Sequence, residues 1–191
     1  MSKRHRSLTK DQLDAAQREL YDSILNGPRG AVKQLFPLAA QDGSLNGPFG
    51  VMLHAPVLGH ALQDLGTAIR YKSTLSGRVR EVSILRVAAV EGSAFEWFAH
   101  ERVGKAVGLT DEELLGIRAG NFKSADESEQ AGFEMVDALL VSSDVSDEEF
   151  HRIAGLIGVQ QIYELVVLVG YYRTLAQTMR VFGVDVPQID D

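Results

Sequence analysis

Apolar residues recur at three- and four-residue spacing along most of the chain, and alternation of period two is nowhere sustained, so helices are predicted throughout. Thr9-Lys10-Asp11-Gln12 reads as a capping box opening a helix that runs to about Leu25 and stops at Asn26-Gly27-Pro28. The stretch from Arg29 to Phe49 is rich in Gly and Pro and is expected to be mostly irregular. Pro56 suits a first helical turn, and Val57, Leu58, Ala61, Leu62, Leu65 and Ile69 follow at helical spacing. Ser76 caps the next predicted helix, whose run from Val82 to Val90 is apolar on nearly every face and therefore reads as buried. Ser93-Ala94-Phe95-Glu96 looks like a fresh capping box for a helix to about Val107, with Gly108 as its stop.

Two further capping boxes, at Thr110 to Glu113 and Ser146 to Glu149, each start a short amphipathic helix. Between them, Glu127 to Val141 places Phe133, Val136, Leu139 and Leu140 on one side. The last long helix is predicted over about Gln160 to Phe182, with a wide stripe of Ile162, Leu165, Val166, Val169, Tyr172, Ala176 and Met179. Val167, Leu168 and Tyr171 add a second apolar surface. It reads either as a subunit interface or as the far side of a central, fully surrounded helix. The fold class is all-α: one helical domain over residues 9–187, a disordered basic tail over 1–8 and a short tail over 188–191.

Composition narrows the function. With 45% apolar residues in 191, the chain can bury a sizeable core. Its net charge of −7 argues against a nucleic-acid partner and against docking on an anionic membrane. The longest greasy run, Ile162 to Tyr172, contains Glu164 and falls short of the roughly 20 residues a spanning helix needs, so no membrane partner is expected. Met1 to Ser7 is basic but no apolar segment follows it, so it does not read as a secretory signal and a cytoplasmic location is expected. There are no cysteines, which removes disulfides, thiolate metal sites and thiol nucleophiles together.

Candidate chemistry concentrates between Arg78 and Thr110, where the chain reads Glu81-x11-Ser93-x2-Glu96-x3-His100. Glu96 and His100 lie four apart, so one helix face carries both, beside Phe95, Trp97 and Phe98. A histidine next to a carboxylate in a partly dry setting can move protons. The same residues have a plainer reading: a capping box would occupy Glu96 with backbone N–H groups, and a Glu–His pair at this spacing is an ordinary helix pair. Arg78, Arg80, Arg86 and Arg102 are candidates to grip an anionic substrate, and His54 either caps its helix or joins the site. Two ligands at Glu96 and His100 without a matching second pair make no metal site.

This window resembles the core of the carboxymuconolactone decarboxylase and alkylhydroperoxidase-D-like (AhpD-like) family, whose peroxidase branch carries Glu-x11-Cys-x2-Cys-x3-His. The glutamate falls on Glu81, the cysteines on Ser93 and Glu96, and the histidine on His100. Glu96-Trp97-Phe98-Ala99-His100 is similar to the cysteine-less, decarboxylase-like branch, as are Arg80-Glu81-x3-Leu85-Arg86-Val87-Ala88-Ala89 and Gly108-Leu109-Thr110-Asp111-Glu112-Glu113. The weaker similarity spans roughly residues 40–187. It implies an AhpD-like helical bundle that assembles as trimers or hexamers. It also implies a cofactor-free lyase acting on a small carboxylated lactone or related acid. His100 would donate the proton, Glu96 would orient it, and Glu81 would be a second proton carrier or hold the site's shape. Ser93, Trp97, His54 and Arg78 would contact the small-molecule substrate. Thiol peroxidase chemistry is excluded, because thiol–disulfide exchange needs a thiolate and neither serine nor glutamate supplies one. The alternative is a non-catalytic binding or scaffold protein that keeps the fold.

Overall fold

The computed structural model describes Arg4, residues 6–31 and residues 35–187, the side chains of Arg29 and Ala31 apart. Parts of both predicted tails therefore lie outside the described residues. Within them the structure is helical, with one isolated antiparallel bridge between Ala39 and Leu45. The chain is all-α, and its helices fall into two compact units, Met1–Tyr71 with Gln177–Asp191, and Lys72–Ala176.

The first unit holds α1 (Ala15–Asn26), α2 (Pro28–Ala31), α3 (Pro48–Met52) and α4 (Pro56–Tyr71). The Thr9 box is present, but it closes on a single 3-10 turn, Lys10–Gln12, and a second box at Asp14 with Gln17 opens α1. Two boxes five residues apart compete for one helix start, and the extended backbone of Leu13 separates them. The Gly- and Pro-rich stretch is mostly irregular as expected, residues 35–47 holding no helix, while Pro28 and Pro48 at its ends each sit in the first turn of a short helix. Leu20, Ile24 and Leu53 are fully buried in this unit. α4 approaches α1 closely at Gly59, where an added Cβ would collide with Leu20 Cδ2.

The second unit holds α5 (Gly77–Glu91), α6 (Ala94–Ala106), α7 (Asp111–Ala119), α8 (Glu127–Val141) and most of α9 (Asp147–Phe182). Ser76, Ser93, Thr110 and Asp126 accept N–H bonds from the first turns of α5, α6, α7 and α8. α5 buries Val79, Val82, Ile84, Leu85, Val87 and Ala88, the all-round burial its sequence predicts, and packs against α6, α7 and α8. Val82, Leu85, Leu109, Leu114, Ile117, Phe122 and Phe133 form one apolar cluster in this unit.

α9 joins the two last predicted helices into one element, broken at Gly158, whose φ of 78° and ψ of 156° are non-helical. Its faces differ from the expected ones. Leu168 and Tyr171, assigned to a second surface, are buried, whereas Val166, assigned to the core stripe, is 43% exposed. Ile162, Leu165, Val169, Tyr172, Ala176 and Met179 are buried as expected, so the buried face is the stripe widened to take in Leu168, Tyr171 and Leu175. By length and composition α9 is also long and apolar enough to cross a membrane, which the shorter run Ile162 to Tyr172 did not suggest.

Candidate active site

Glu81, on α5, is fully buried, and Glu96 and His100, on α6, are 3% and 4% exposed. A carboxylate is placed so deep only where a partner compensates its lost hydration. Here the partner is the imidazole: Nδ1 of His100 stands 2.6 Å from Glu81 Oε2, and Nε2 stands 3.4 Å from Glu96 Oε2. A neutral imidazole donates from one nitrogen and accepts at the other, so it would turn a lone pair toward one of these carboxylates. Only the imidazolium donates to both. Burial pulls the His100 pKa down, but the charge and hydrogen bond of Glu81, with those of Glu96 added, outweigh it and hold the group above its ordinary 6.5. Tyr172 of α9 closes the ring's side edge-on at 5.3 Å, and Tyr171 packs edge-on against Tyr172 at 5.1 Å.

The capping box expected at Ser93 is only half made. Ser93 Oγ accepts from the Glu96 N–H at 3.4 Å, but the Ser93 N–H that Glu96 would have taken goes to the Ala88 carbonyl at 2.9 Å. Glu96 is left to face His100. This removes the reading in which the cap consumes it. Arg80 joins the other end of the cluster, its Nε 3.4 Å from Glu81 Oε1. Glu81, Glu96, the imidazolium and Arg80 together carry no net charge, which is what tolerates their burial.

The four residues expected around the substrate are placed elsewhere or already engaged. Ser93 is the α6 cap. Trp97 is partly buried against the Val82–Leu85–Phe133 cluster, with the Arg118 guanidinium 3.9 Å over its ring. Arg78 donates from Nε and Nη2 to Glu129 at 2.8 and 3.0 Å, from Nη2 to Glu113 and from Nη1 to the Gly108 carbonyl. Those two carboxylates raise its pKa beyond its already high ordinary value, Glu129 first. It ties α5, α7 and α8 together beside a cavity of about 670 Å³ lined also by Ser76, Lys123, Ser128 and Gln161. His54 belongs to the first unit, where it stacks on Phe182 at 5.8 Å. Tyr172 is the site residue that sequence reasoning missed: it was counted as core stripe, and nothing in its spacing ties it to a histidine 72 positions away. No group of three or more His, Cys, Asp or Glu side chains suited to a metal ion occurs among the described residues.

Residues 56–136 match the sequence profile of the carboxymuconolactone decarboxylase family. That region is similar to the carboxymuconolactone decarboxylase family, and the helical fold of the chain is the AhpD-like one. No curated protein matches it. Among solved structures it is similar to a peroxidase-related protein with an AhpD core from Ralstonia eutropha JMP134, with a TM-score of 0.75 at 12% identity over 96% of this chain and 92% of that one. It is also similar to Atu0492 from Agrobacterium tumefaciens, a putative AhpD antioxidant defence protein, with a TM-score of 0.64 at 18% identity over 73% and 97%. The debrominase Bmp8, as a cysteine-to-alanine variant in complex with 2,3,4-tribromopyrrole, matches with a TM-score of 0.70 at 11% identity over 95% and 90%.

Proposed function

We propose that the protein is a cofactor-free lyase that removes carbon dioxide from a small carboxylated lactone or related acid, with His100 as the proton carrier. The observation that carries this reading is the enclosed imidazole with a carboxylate at each ring nitrogen. In such a reaction the bond between the ring carbon and the carboxylate breaks, and carbon dioxide leaves. The electron pair passes into the conjugated carbonyl, giving a dienolate. A proton from the imidazolium then forms the new C–H bond, and solvent restores the imidazolium. The tight 2.6 Å contact makes Glu81 the group that fixes and charges the ring, and the looser 3.4 Å contact makes Glu96 the one that gives way as Nε2 delivers its proton. The orienting role expected of Glu96 thereby passes to Glu81, which holds the site's shape. The tribromopyrrole held by the similarly folded debrominase supports a ligand built on one five-membered ring.

A screen of small carboxylated lactones for carbon dioxide release tests the reading. Release by the wild type without added cofactor, reduced about a hundredfold or more by His100→Gln, is the expected result. The mutual satisfaction of Glu81, His100 and Glu96 favours a second reading, a non-catalytic protein stabilised by a buried ionic cluster. It predicts no release from any lactone and a large stability loss in the same variant.

We also place self-association on α9. Val159, Tyr163 and Val166 are 62, 69 and 43% exposed, and Gly170 faces open space. Their spacing of four, three and four is symmetric about the midpoint between Tyr163 and Val166. A second copy laid antiparallel sets Val159 against Gly170 and Tyr163 against Val166, large against small, as a two-fold interface requires.

A further inference from the structure

Trp97 and Phe98 are neighbours on α6, and each carries an arginine on its ring. The Arg118 guanidinium, from α7, lies 3.9 Å over Trp97, and the Arg102 guanidinium lies 3.9 Å over Phe98. Both rings are half-buried, and Trp97 also packs against the Val82–Leu85–Phe133 cluster. A ring pinned by the core gives the cation above it a fixed platform. Stacking engages the face of a guanidinium and leaves the N–H fork in its plane free.

Those forks are barely used. Arg102 donates from Nη1 to the Phe98 carbonyl at 2.7 Å, and Arg118 makes no side-chain hydrogen bond among the described residues. In the second unit Arg78, Arg80, Arg86, Arg152 and Arg173 each reach a carboxylate. Arg102 and Arg118 reach none among the described residues. Lys105 takes the neighbouring carboxylates of Glu101 and Asp111, at 3.7 and 2.9 Å. In a chain with 26 acidic and 19 basic residues, two aimed guanidiniums without a carboxylate are the exception. Beside them Leu115, one turn before Arg118 on α7, is 68% exposed.

We propose that the α6–α7 surface around Trp97, Phe98, Arg102, Leu115 and Arg118 is a docking face for another protein. That partner presents an acidic segment, with carboxylates for the two guanidiniums and an apolar side chain for Leu115. Each carboxylate takes a pair of parallel N–H donors from a guanidinium already held in place, which favours arginine over lysine in this role. Tryptophan, phenylalanine and arginine are also the residue types that anchor protein interfaces. A long polyphosphate chain fits less well, because the net charge of −7 repels it and Leu115 offers it no contact. The face is independent of the lyase reading.

Trp97 is the single tryptophan of the chain, so its fluorescence reads this face directly. The full-length protein is titrated with a short peptide of glutamate and leucine, and with the same peptide carrying glutamine for glutamate. The acidic peptide changes the Trp97 emission and binds about tenfold or more tightly than the glutamine peptide. Arg102→Gln with Arg118→Gln abolishes that preference, and Arg118→Lys reduces it. Equal binding of the two peptides, no binding of the acidic one, or a preference that survives the double variant overturns the proposal. Tighter binding of a single-stranded oligonucleotide overturns it in favour of a phosphate site. Loss of self-association in the double variant overturns it in favour of a second copy of this chain. Should the double variant fail to fold, Arg118→Lys decides: a reduced preference supports the docking face and an unchanged one overturns it.

Discussion

Glu81 and His100 sit on successive helices, 19 residues apart, and meet at 2.6 Å with both side chains withdrawn from water. The buried charge of each is compensated by the other, so removing either leaves the partner's charge unpaired. Breaking such a pair costs about 3–5 kcal/mol. Glu81→Gln is therefore expected to lower the unfolding free energy measured in urea by that order, and Glu96→Gln, which breaks the longer contact, by less. Equal small losses in the two variants would show that the short contact carries no more than the long one.

The raised His100 pKa makes folding stability depend on pH in a definite direction. The folded protein holds the proton more tightly than the unfolded chain, so the contribution is complete below about pH 6.5. It falls as pH rises through the higher folded value. The difference in unfolding free energy between wild type and His100→Gln should shrink over that window. A difference constant from pH 5 to 9 would rule out a charged ring in the native state.

Arg78 is expected to act in stability alone. Its pairs with Glu129 and Glu113 hold α5 to α8 and α7, and at 32% side-chain exposure solvent screens them in part. Arg78→Ala should cost about 1–3 kcal/mol by thermal unfolding, a value discounted from that of fully buried pairs. Carbon dioxide release from a carboxylated lactone should be untouched. Loss of that release at wild-type stability would return Arg78 to the substrate.

The α9 face predicts a concentration-dependent oligomer by light scattering, converted to monomer by Tyr163→Glu without loss of helicity. A wild-type monomer at micromolar concentration contradicts it. Binding of the wild-type monomer to lipid vesicles would assign the same face to a membrane instead.

Much of this architecture was legible in the sequence because capping is local chemistry. Ser76, Ser93 and Thr110 each announce a helix through one side chain and one backbone N–H, and all three do so in the structure. Where two local signals compete, as Thr9 and Asp14 do, spacing alone did not choose. Leu168 and Tyr171 stay open between an interface and a surrounded helix for a related reason: a helix apolar on two sides does not say whether one or both are buried within the chain. The candidate site was legible only in part. Spacing joins Glu96 to His100 on one helix, whereas the link to Glu81 crosses to another and came from the family resemblance. That Glu96 escapes its cap depends on the Ser93 N–H turning back to Ala88, a tertiary choice that no motif records. Arg78 and Arg80 are near neighbours with similar prospects in sequence, and the carboxylates of α7 and α8 alone set them apart.

The account rests on a charged imidazole held between two carboxylates, and nitrogen-15 NMR of the His100 ring reads that state directly. At pH 7 both ring nitrogens should carry protons, with chemical shifts of the imidazolium, and the signals should move when a carboxylated lactone is added. A neutral ring in a single tautomer at pH 7, unmoved by any such ligand, would contradict it.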